Sequence, residues 1–344
     1  MPLLELALAT MLAAGSPAAA TPSAADLDVA DQADNANQQA YARQFPAMQR
    51  GLIESRAPRD RALGTQLFKP SAASAGRSDA ELGRVLRQAA LDAPTDRFVQ
   101  WAWANASTEA SGCDERNPCP DRAAALALIE PDNGAAWMPL AYAAMRAKDM
   151  AATDAALSRM AGASRYDDLF GESVSAWMDV YRRFPFSAQP GRGVDGVNAV
   201  AAIAVAAAIG VPPYQSLMAC SVERNPSASS ARLDDCARIG RLMLREGTTM
   251  SARRMGQSVM KMSKRATAED AAAARSLDWT MERASGLWSG LDADPKVFAG
   301  YVNDLRQTGS EMRAVELLFT RAGIALEPPV AWQSRFNQGK SAGN

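Results

Sequence analysis

The stretch 130–160 constrains the fold more than any other part of the chain. Its proline, aspartate and asparagine at 131–133 are typical of a turn that begins a helix. Apolar residues from Trp137 to Ala144 then recur at spacings of three and four, which places them on one helical face. A polar turn at 148–149 interrupts this pattern, which resumes from Met150 to Met160. The sequence therefore predicts a helical hairpin here.

The composition extends the helical prediction to the rest of the chain. Alanine is abundant, runs of β-branched residues are scarce and aromatic residues make up only 6% of the chain, a balance that favours close-packed helices over sheet. With 344 residues the chain exceeds the usual size of one compact domain, although an elongated helical array can reach this length as one unit. We therefore predict an all-α fold of stacked antiparallel helical hairpins.

Tryptophan supports this prediction by recurring at a period typical of stacked hairpins, at positions 101, 137 and 177. Within the predicted hairpin, Trp137, Leu140 and Ala141 resemble the first helix of a degenerate tetratricopeptide repeat. Ala144 stands where that family usually has an aromatic residue, and Thr153 where it usually has alanine. The resemblance implies an α-solenoid, a right-handed superhelix whose concave surface binds peptides or partner proteins and usually carries no chemistry.

Proline, glycine and small polar residues divide the chain into segments. The run FPFSAQPGRGVDG is the longest break, and Pro328-Pro329 stops the last predicted helix. Inside the helical part, Ser78 and Glu81 form a capping-box pattern. The predicted segments are a signal peptide at 1–20, a flexible lead-in at 21–37, helical hairpins at 38–184, a linker at 185–195, a second helical half at 196–327 and a frayed tail at 328–344.

The first twenty residues resemble an export signal. A short apolar run precedes Ala18-x-Ala20, a pattern of small residues typical of a cleavage site. No lysine or arginine precedes the run and Glu5 lies within it, so the alternative is an ordinary amphipathic helix. No later segment has the roughly 18–20 apolar residues needed to cross a bilayer. We therefore expect a periplasmic or secreted protein without a transmembrane segment after the signal.

The cysteines point to the same compartment. The chain has four, and they fall into two local pairs, Cys113 with Cys119 and Cys220 with Cys236. Four cysteines allow three connectivities, and the local one would pin a tight turn and close one longer loop. Neither pair has the C-x-x-C spacing of a zinc ribbon or a thioredoxin motif. We predict two structural disulfides, which persist in oxidising compartments, with free buried thiols as the alternative.

The chain contains no histidine, which excludes Ser-His-Asp and Cys-His catalysis and any histidine-ligated metal site. The formal net charge is −1, so bulk electrostatics give no reason to expect nucleic acid as a partner. No residue pattern indicates a cofactor. Any chemistry would have to use carboxylates, lysine, tyrosine or serine.

Glu172 is the residue on which an enzymatic alternative rests. Phe170-Gly171-Glu172-Ser173 is similar to the catalytic segment of exported α-helical lytic transglycosylases, in which a glutamate is followed by serine. The resemblance implies that a glutamate with a raised pKa acts as general acid and base in cleaving cell-wall glycan. The glycine-methionine-glutamine segment of that family has no counterpart in this chain. The competing interpretation is a solvated glutamate at the start of a helix.

Two further patterns have simpler explanations. Ser258 and Lys261 match the S-x-x-K motif of penicillin-binding proteins, but the S-D-N and K-T-G motifs that accompany it are missing. Asp167-Asp168 precedes an apolar periodic run and is explained by capping of the helix that follows.

Two surface features are candidate binding sites. Basic residues exceed acidic ones between Cys220 and Arg265, and this cluster could meet an anionic partner or form a solvated outer face. Its central arginines are Arg238, Arg241, Arg245, Arg253 and Arg254. Most tryptophans at helical spacing fill cores, but the inner side of the hairpins could also form an aromatic binding face. The residues of that predicted face are Trp103, Trp137, Tyr142 and Trp177.

These observations together predict a non-enzymatic exported scaffold that binds protein or peptide partners. The alternative is a glycan-cleaving enzyme that uses Glu172. The sequence leaves the identity of the partner and the oligomeric state open.

Overall fold

The structure is a computed structural model that describes residues 44–67, 78–106, 122–186, 193–209, 212–291 and 295–334, without the side chains of 289–291 and 295. The all-α prediction is confirmed. The described residues contain helices and two isolated β-bridges, but no strand. The predicted signal peptide, the lead-in and the Cys113/Cys119 pair lie outside the described residues.

The chain forms two compact units that are interleaved along the sequence. Unit 1 comprises Met1–Arg122 and Ser173–Ile209, and unit 2 comprises Ala123–Glu172 and Gly210–Asn344. The units therefore do not coincide with the two consecutive halves that the break at 185–195 suggested. Composition marks where a chain is irregular, but it does not show which segments pack together.

Unit 1 is built from helices whose apolar stripes meet around aromatic side chains. Its helices are α1 (44–53), α2 (Pro58–Gln66), α3 (Asp79–Asp92), α4 (Arg97–Asn105), most of α8 (Phe170–Arg183) and α9 (Val194–Ile209). Helix α3 packs against both α2 and α4. Phe98, Trp101 and Trp177 are almost completely buried. Ser78 and Glu81 form the capping box that the sequence predicted at the start of α3.

Unit 2 contains the predicted hairpin and most of the remaining helices. Its helices are α5 (Ala125–Ile129), α6 (Met138–Arg146), α7 (Met150–Ala161), α10 (Ser230–Glu246), α11 (Met250–Ser263), α12 (Ala268–Leu291), α13 (Pro295–Thr308) and α14 (Glu311–Ala322). Short 3-10 helices lie at Arg122–Ala124, Gly134–Trp137 and Tyr214–Cys220. Consecutive helices pack in pairs, α6 with α7, α10 with α11 and α13 with α14.

Glycines allow α10 and α11 to approach each other closely. A Cβ atom built on Gly240 would lie 2.5 Å from the side chain of Met260, and one built on Gly256 would lie 2.6 Å from the carbonyl oxygen of Gly240. Only glycine fits such distances. The contact places the buried side chains of Leu244 and Met260 against Leu277 of α12, so the position of α12 depends on this crossing.

The segment after α14 lies along α12. The last helix ends at Ala322, and Gly323 takes the left-handed conformation (φ +66°) that commonly ends helices. The sequence predicted fraying from residue 328, but residues 328–334 contact α12 through several hydrogen bonds. The helix therefore ends before Pro328-Pro329, which the sequence predicted as its stop, and the turn at 329–332 presents its carbonyl groups to α12.

Within the described parts of the chain, no single helix is long and apolar enough to cross a membrane. Val194–Ile209 and Tyr214–Cys220 reach the required length and hydropathy only when they are counted together.

Candidate functional site

The predicted aromatic face is divided between the two units. Trp103 and Trp177 belong to unit 1, where they are 9% and 0% exposed. Trp137 and Tyr142 belong to unit 2 and are half-buried, and the Trp137 indole N–H donates to the carbonyl of Pro131 (3.0 Å). The two unit 1 tryptophans are therefore core residues, as their helical spacing also allowed.

The predicted basic cluster is largely neutralised by neighbouring acids. Arg241 donates to both carboxylate oxygens of Asp270 (3.0 and 3.1 Å), and Arg245 pairs with Glu269 (2.8 Å). Arg238 pairs with Asp235 on its own helix. Because α12 supplies Glu269 and Asp270, the net charge that this surface presents to an anionic partner is much smaller than the sequence count suggests.

The other two arginines of the cluster have structural partners as well. Arg253 donates to the carbonyl of Gly247 (2.9 Å), and burial lowers its pKa. Arg254 donates to Gln257 (2.7 Å) and to the Asp278 carboxylate (2.6 Å), and therefore links α11 to α12.

Cys220 and Cys236 form a disulfide, as predicted, with both side chains fully buried. The bond joins the 3-10 helix Tyr214–Cys220 to α10. It is a structural staple of unit 2.

Glu172 lies half-buried in the first turn of α8, a position that the helix-start interpretation accounts for. The Ser258 hydroxyl donates to the carbonyl of Arg254 (3.1 Å) on the preceding turn, while Lys261 is exposed.

The described residues that most resemble a binding site form a stripe along α12. Arg275, Ser276, Asp278, Trp279 and Arg283 are spaced so that neighbouring turns of α12 present them near each other. The stripe contacts residues 325–334, a non-helical segment with a turn at 329–332 that we call the C-terminal strap. Both partners belong to unit 2.

Arg275 holds the strap by its backbone. One guanidinium nitrogen of Arg275 lies 2.6, 3.1 and 2.8 Å from the carbonyl oxygens of Pro329, Val330 and Trp332. The Trp279 indole N–H donates to the carbonyl of Ala325 (2.8 Å). Carbonyl groups are common to every peptide, so these contacts involve the backbone of the turn at 329–332 rather than particular side chains.

An aromatic cluster adds side-chain contacts between the stripe and the strap. The rings of Trp332 and Trp279 meet edge to face at 5.4 Å, a favourable geometry for aromatic pairs. The Arg275 guanidinium lies 5.4 Å from the Trp332 ring, and that of Arg283 lies 4.1 Å from the Trp279 ring. Both cations are within the range of cation–π attraction.

A buried carboxylate receives the end of the strap. The Ser334 hydroxyl donates to Asp278 (2.8 Å), whose other oxygen accepts the bond from Arg254. Asp278 and Ser334 are 2% and 6% exposed. Arg254, one of the predicted cluster arginines, thus fixes the carboxylate that selects a hydroxyl group. Ser276 adds a bond to Glu327 (2.7 Å) at the other end.

The strap itself remains mostly in contact with solvent. Pro329, Val330 and Ala331 are exposed, Val330 completely. Hydrogen bonds and one buried aromatic edge therefore hold the segment, with little apolar burial between these anchors. Because the net stability of each such hydrogen bond is only about 0.5–1.5 kcal/mol, another chain with the same groups could take the place of the strap.

The sequence pattern did not bring Trp279 and Trp332 together. The sequence does contain a signal that distinguishes Trp332 from the core tryptophans. Trp332 follows Pro328-Pro329 and therefore lies outside any helical repeat. The Arg275 contacts carry no such signal, since they involve backbone carbonyls.

The largest carboxyl pKa shifts lie in another part of unit 2. Burial raises the pKa of Asp168 to about 6 and that of Glu311 to about 7. Burial also raises the pKa of Tyr166 and Tyr214, beside Asp168. These carboxyls are 4% and 8% exposed, so in this structure they are too enclosed to reach a polymeric substrate.

Comparison of the chain with known protein families, with characterised proteins and with solved structures gives no match.

Proposed function

We propose that this protein is a non-enzymatic, exported helical scaffold that binds non-helical segments of protein or peptide partners along α12. The observation that carries the proposal is the grip of Arg275 and Trp279 on the backbone carbonyls of the C-terminal strap. Recognition of a peptide through main-chain groups, with pockets for a few side chains, is a recurring mode of protein interaction.

The paired helices are compatible with tetratricopeptide-like stacking, and in that reading they serve as the framework that presents α12. The buried Cys220–Cys236 disulfide supports a periplasmic or secreted location, because such bonds persist in oxidising compartments. The export signal proposed for residues 1–20 agrees with this location.

A labelled peptide with the sequence of residues 324–334 tests the proposal. In the wild-type chain the strap competes at the high effective concentration of a tethered ligand, so we expect weak binding. A chain with Trp332→Ala and Ser334→Ala loses two of the side-chain anchors of its own strap. We expect it to bind the peptide at least about tenfold more tightly, as measured by fluorescence anisotropy.

Two controls assign that binding to the stripe. Adding Arg275→Ala to the double variant removes the donor to three carbonyls and should abolish measurable binding. A peptide in which the tryptophan is replaced by alanine should bind poorly. Equal binding by the chains with and without Arg275, or no binding by a double variant that is folded by circular dichroism, would contradict the proposal.

A further inference from the structure

The Asp168–Glu311 centre joins the starts of two helices of unit 2. We use this name for Asp168, Glu311, Thr248 and Thr249. Thr249 caps the N-terminus of α11 through its side chain, and its hydroxyl donates to Asp168 (2.6 Å). The Glu311 carboxylate, in the first turn of α14, accepts a hydrogen bond from the first amide of α11, that of Met250 (2.8 Å).

The connection is reciprocal, because the loop before α11 also holds the start of α14. The carbonyl of Thr248 accepts hydrogen bonds from the Met312 amide (3.1 Å) and from the hydroxyl of Ser310, the residue that caps α14. The amide of Thr248 donates to the carbonyl of Tyr166 (3.2 Å). Three segments that are distant in the sequence are therefore fastened at one point.

Among the described residues, no cationic side chain is in direct contact with either carboxyl of this centre. The negative charge of Asp168 raises the pKa of Glu311. The negative charge of Asp167 likewise raises the pKa of Asp168. Arg165 is held by Glu130, Asp132 and Asp167.

The other ionisable groups around the centre are one arginine and buried phenols. The Arg253 guanidinium donates to the carbonyl of Gly247. Its charge interacts with those of Glu246 and Glu316. Tyr214 and Tyr301 face the carboxyls as neutral phenols.

The Tyr301 hydroxyl strengthens the case that this centre binds a proton. Tyr301 is 2% exposed, its oxygen has no hydrogen-bond partner among the described residues, and the charge of Glu311 acts on it. A buried polar group without a partner is costly. Two enclosed carboxyls near an unpaired phenol form an environment in which one added proton removes a charge and supplies a donor.

We propose that Asp168 and Glu311 form a proton-binding centre that fastens the starts of α11 and α14 while one carboxyl is protonated, and loosens them when both are ionised. Asp168 accepts bonds from Thr249, Thr248 and the Phe170 amide, which favour its ionised form. Glu311 accepts one, from Met250. Glu311 therefore carries the proton, which passes to solvent water when the centre opens.

The sign of the pH dependence follows from the direction of the shifts. Both pKa values are higher in the folded chain, about 6 and about 7, than the ordinary values of 3.8 and 4.5. A group of this kind contributes its full stability below its unfolded pKa and loses it as the pH rises through its folded pKa. The fastening should therefore weaken as the pH rises from about 4 to about 7, most steeply near pH 5–6, between the unfolded and the folded pKa values.

Hydrogen exchange of the full chain between pH 5 and pH 8 tests this proposal. After correction for intrinsic exchange, we expect protection of the Met250 and Met312 amides to fall in the wild type as the pH rises. Glu311→Gln is permanently neutral and should keep that protection at pH 8, with exchange slower than in the wild type by up to roughly 100-fold. Glu269→Gln, an exposed acid on α12, should behave like the wild type.

Two outcomes would overturn the proposal. One is the same loss of protection with pH in Glu311→Gln as in the wild type. The other is a wild-type infrared spectrum at pH 5–6 without the carbonyl band of a buried protonated carboxyl. The spectrum needs no variant, so it decides the question even where Glu311→Gln fails to fold. Neither result depends on peptide binding along α12.

Discussion

At the scale of single residues, Asn133 shows how much one buried amide can organise. Its side-chain nitrogen donates to Glu130 (3.0 Å) and to the carbonyl of Asp167 (2.9 Å). Its side-chain oxygen accepts from the amides of Ala135 (3.1 Å) and Asp167 (2.9 Å). Asn133 is completely buried, and it therefore fixes the loop that carries Asp167 and Asp168 to the start of the hairpin.

Replacement of Asn133 by alanine should destabilise the protein by about 3 kcal/mol. The change leaves two buried amide donors and two acceptors without their partner, and each unsatisfied buried group costs about 1–3 kcal/mol before relaxation. Urea unfolding followed by circular dichroism measures the loss.

Asn303→Ala, at an exposed position of α13, is the control and should change stability by less than about 0.5 kcal/mol. Equal stability of the two variants would show that the four bonds of Asn133 contribute little.

The sequence predicted only part of what these residues do. Asn133 was recognised as a turn residue, and its bond to the Ala135 amide is the local part of that role. Asp167 and Asp168 were interpreted as caps, and both do accept bonds from the amides at the start of α8. Their long-range partners, such as Thr249, lie about eighty residues away in the sequence, and no local pattern encodes such a distance.

At the scale of helices, periodicity and capping residues predicted the elements well. Apolar periodicity predicts helices at Thr249–Lys264 and Pro295–Thr308. The first is observed at Met250–Ser263, with Thr249 as its cap and Lys264 in the left-handed conformation that ends it. The helix expected from Pro295 to Thr308 has those bounds. These signals are local, so a single sequence contains them. The closeness of α10 and α11 was not predicted, because it depends on two glycines that meet only after folding.

Alanine at Gly256 should destabilise the protein by roughly 1–3 kcal/mol, the cost of overpacking a close contact. The added carbon would lie 2.6 Å from the backbone of Gly240 and Leu244. Gly286 of α12 is the matched control, since an added carbon there meets nothing within 4 Å.

Gly286→Ala should therefore stabilise the protein by up to about 1 kcal/mol through helix propensity. Thermal unfolding distinguishes the two variants. A shift of the same sign and size in both would mean that the α10–α11 crossing tolerates a wider spacing.

At the scale of the whole molecule, the disulfide should strengthen unit 2 selectively. Cys220 and Cys236 are sixteen positions apart, and a bond closing a loop of that length contributes about 3 kcal/mol in the chain-entropy account. The paired change Cys220→Ala and Cys236→Ala should lower the unfolding free energy by an amount of that order. Hydrogen exchange should show larger losses of protection in α10, next to the bond, than in α3 of unit 1. A double variant as stable as the wild type would contradict this expectation.

The fold class and the local disulfide could be predicted because helix periodicity and cysteine spacing are properties of short stretches. The division into units could not be predicted, since it depends on contacts between segments such as Ser173–Ile209 and the N-terminal part of the chain. The α12 stripe was missed for the same reason, because its ligand is a backbone more than forty residues away.

The interleaving of the units has a consequence for biosynthesis. Unit 1 needs Ser173–Ile209 as well as Met1–Arg122, so its first helices leave the ribosome before their partners have been translated. At about 5–20 residues per second, the delay between Arg122 and Ile209 is roughly 4–17 s. Throughout that interval the newly made apolar stripes lack their final neighbours, and a holding chaperone has time to engage the nascent polypeptide.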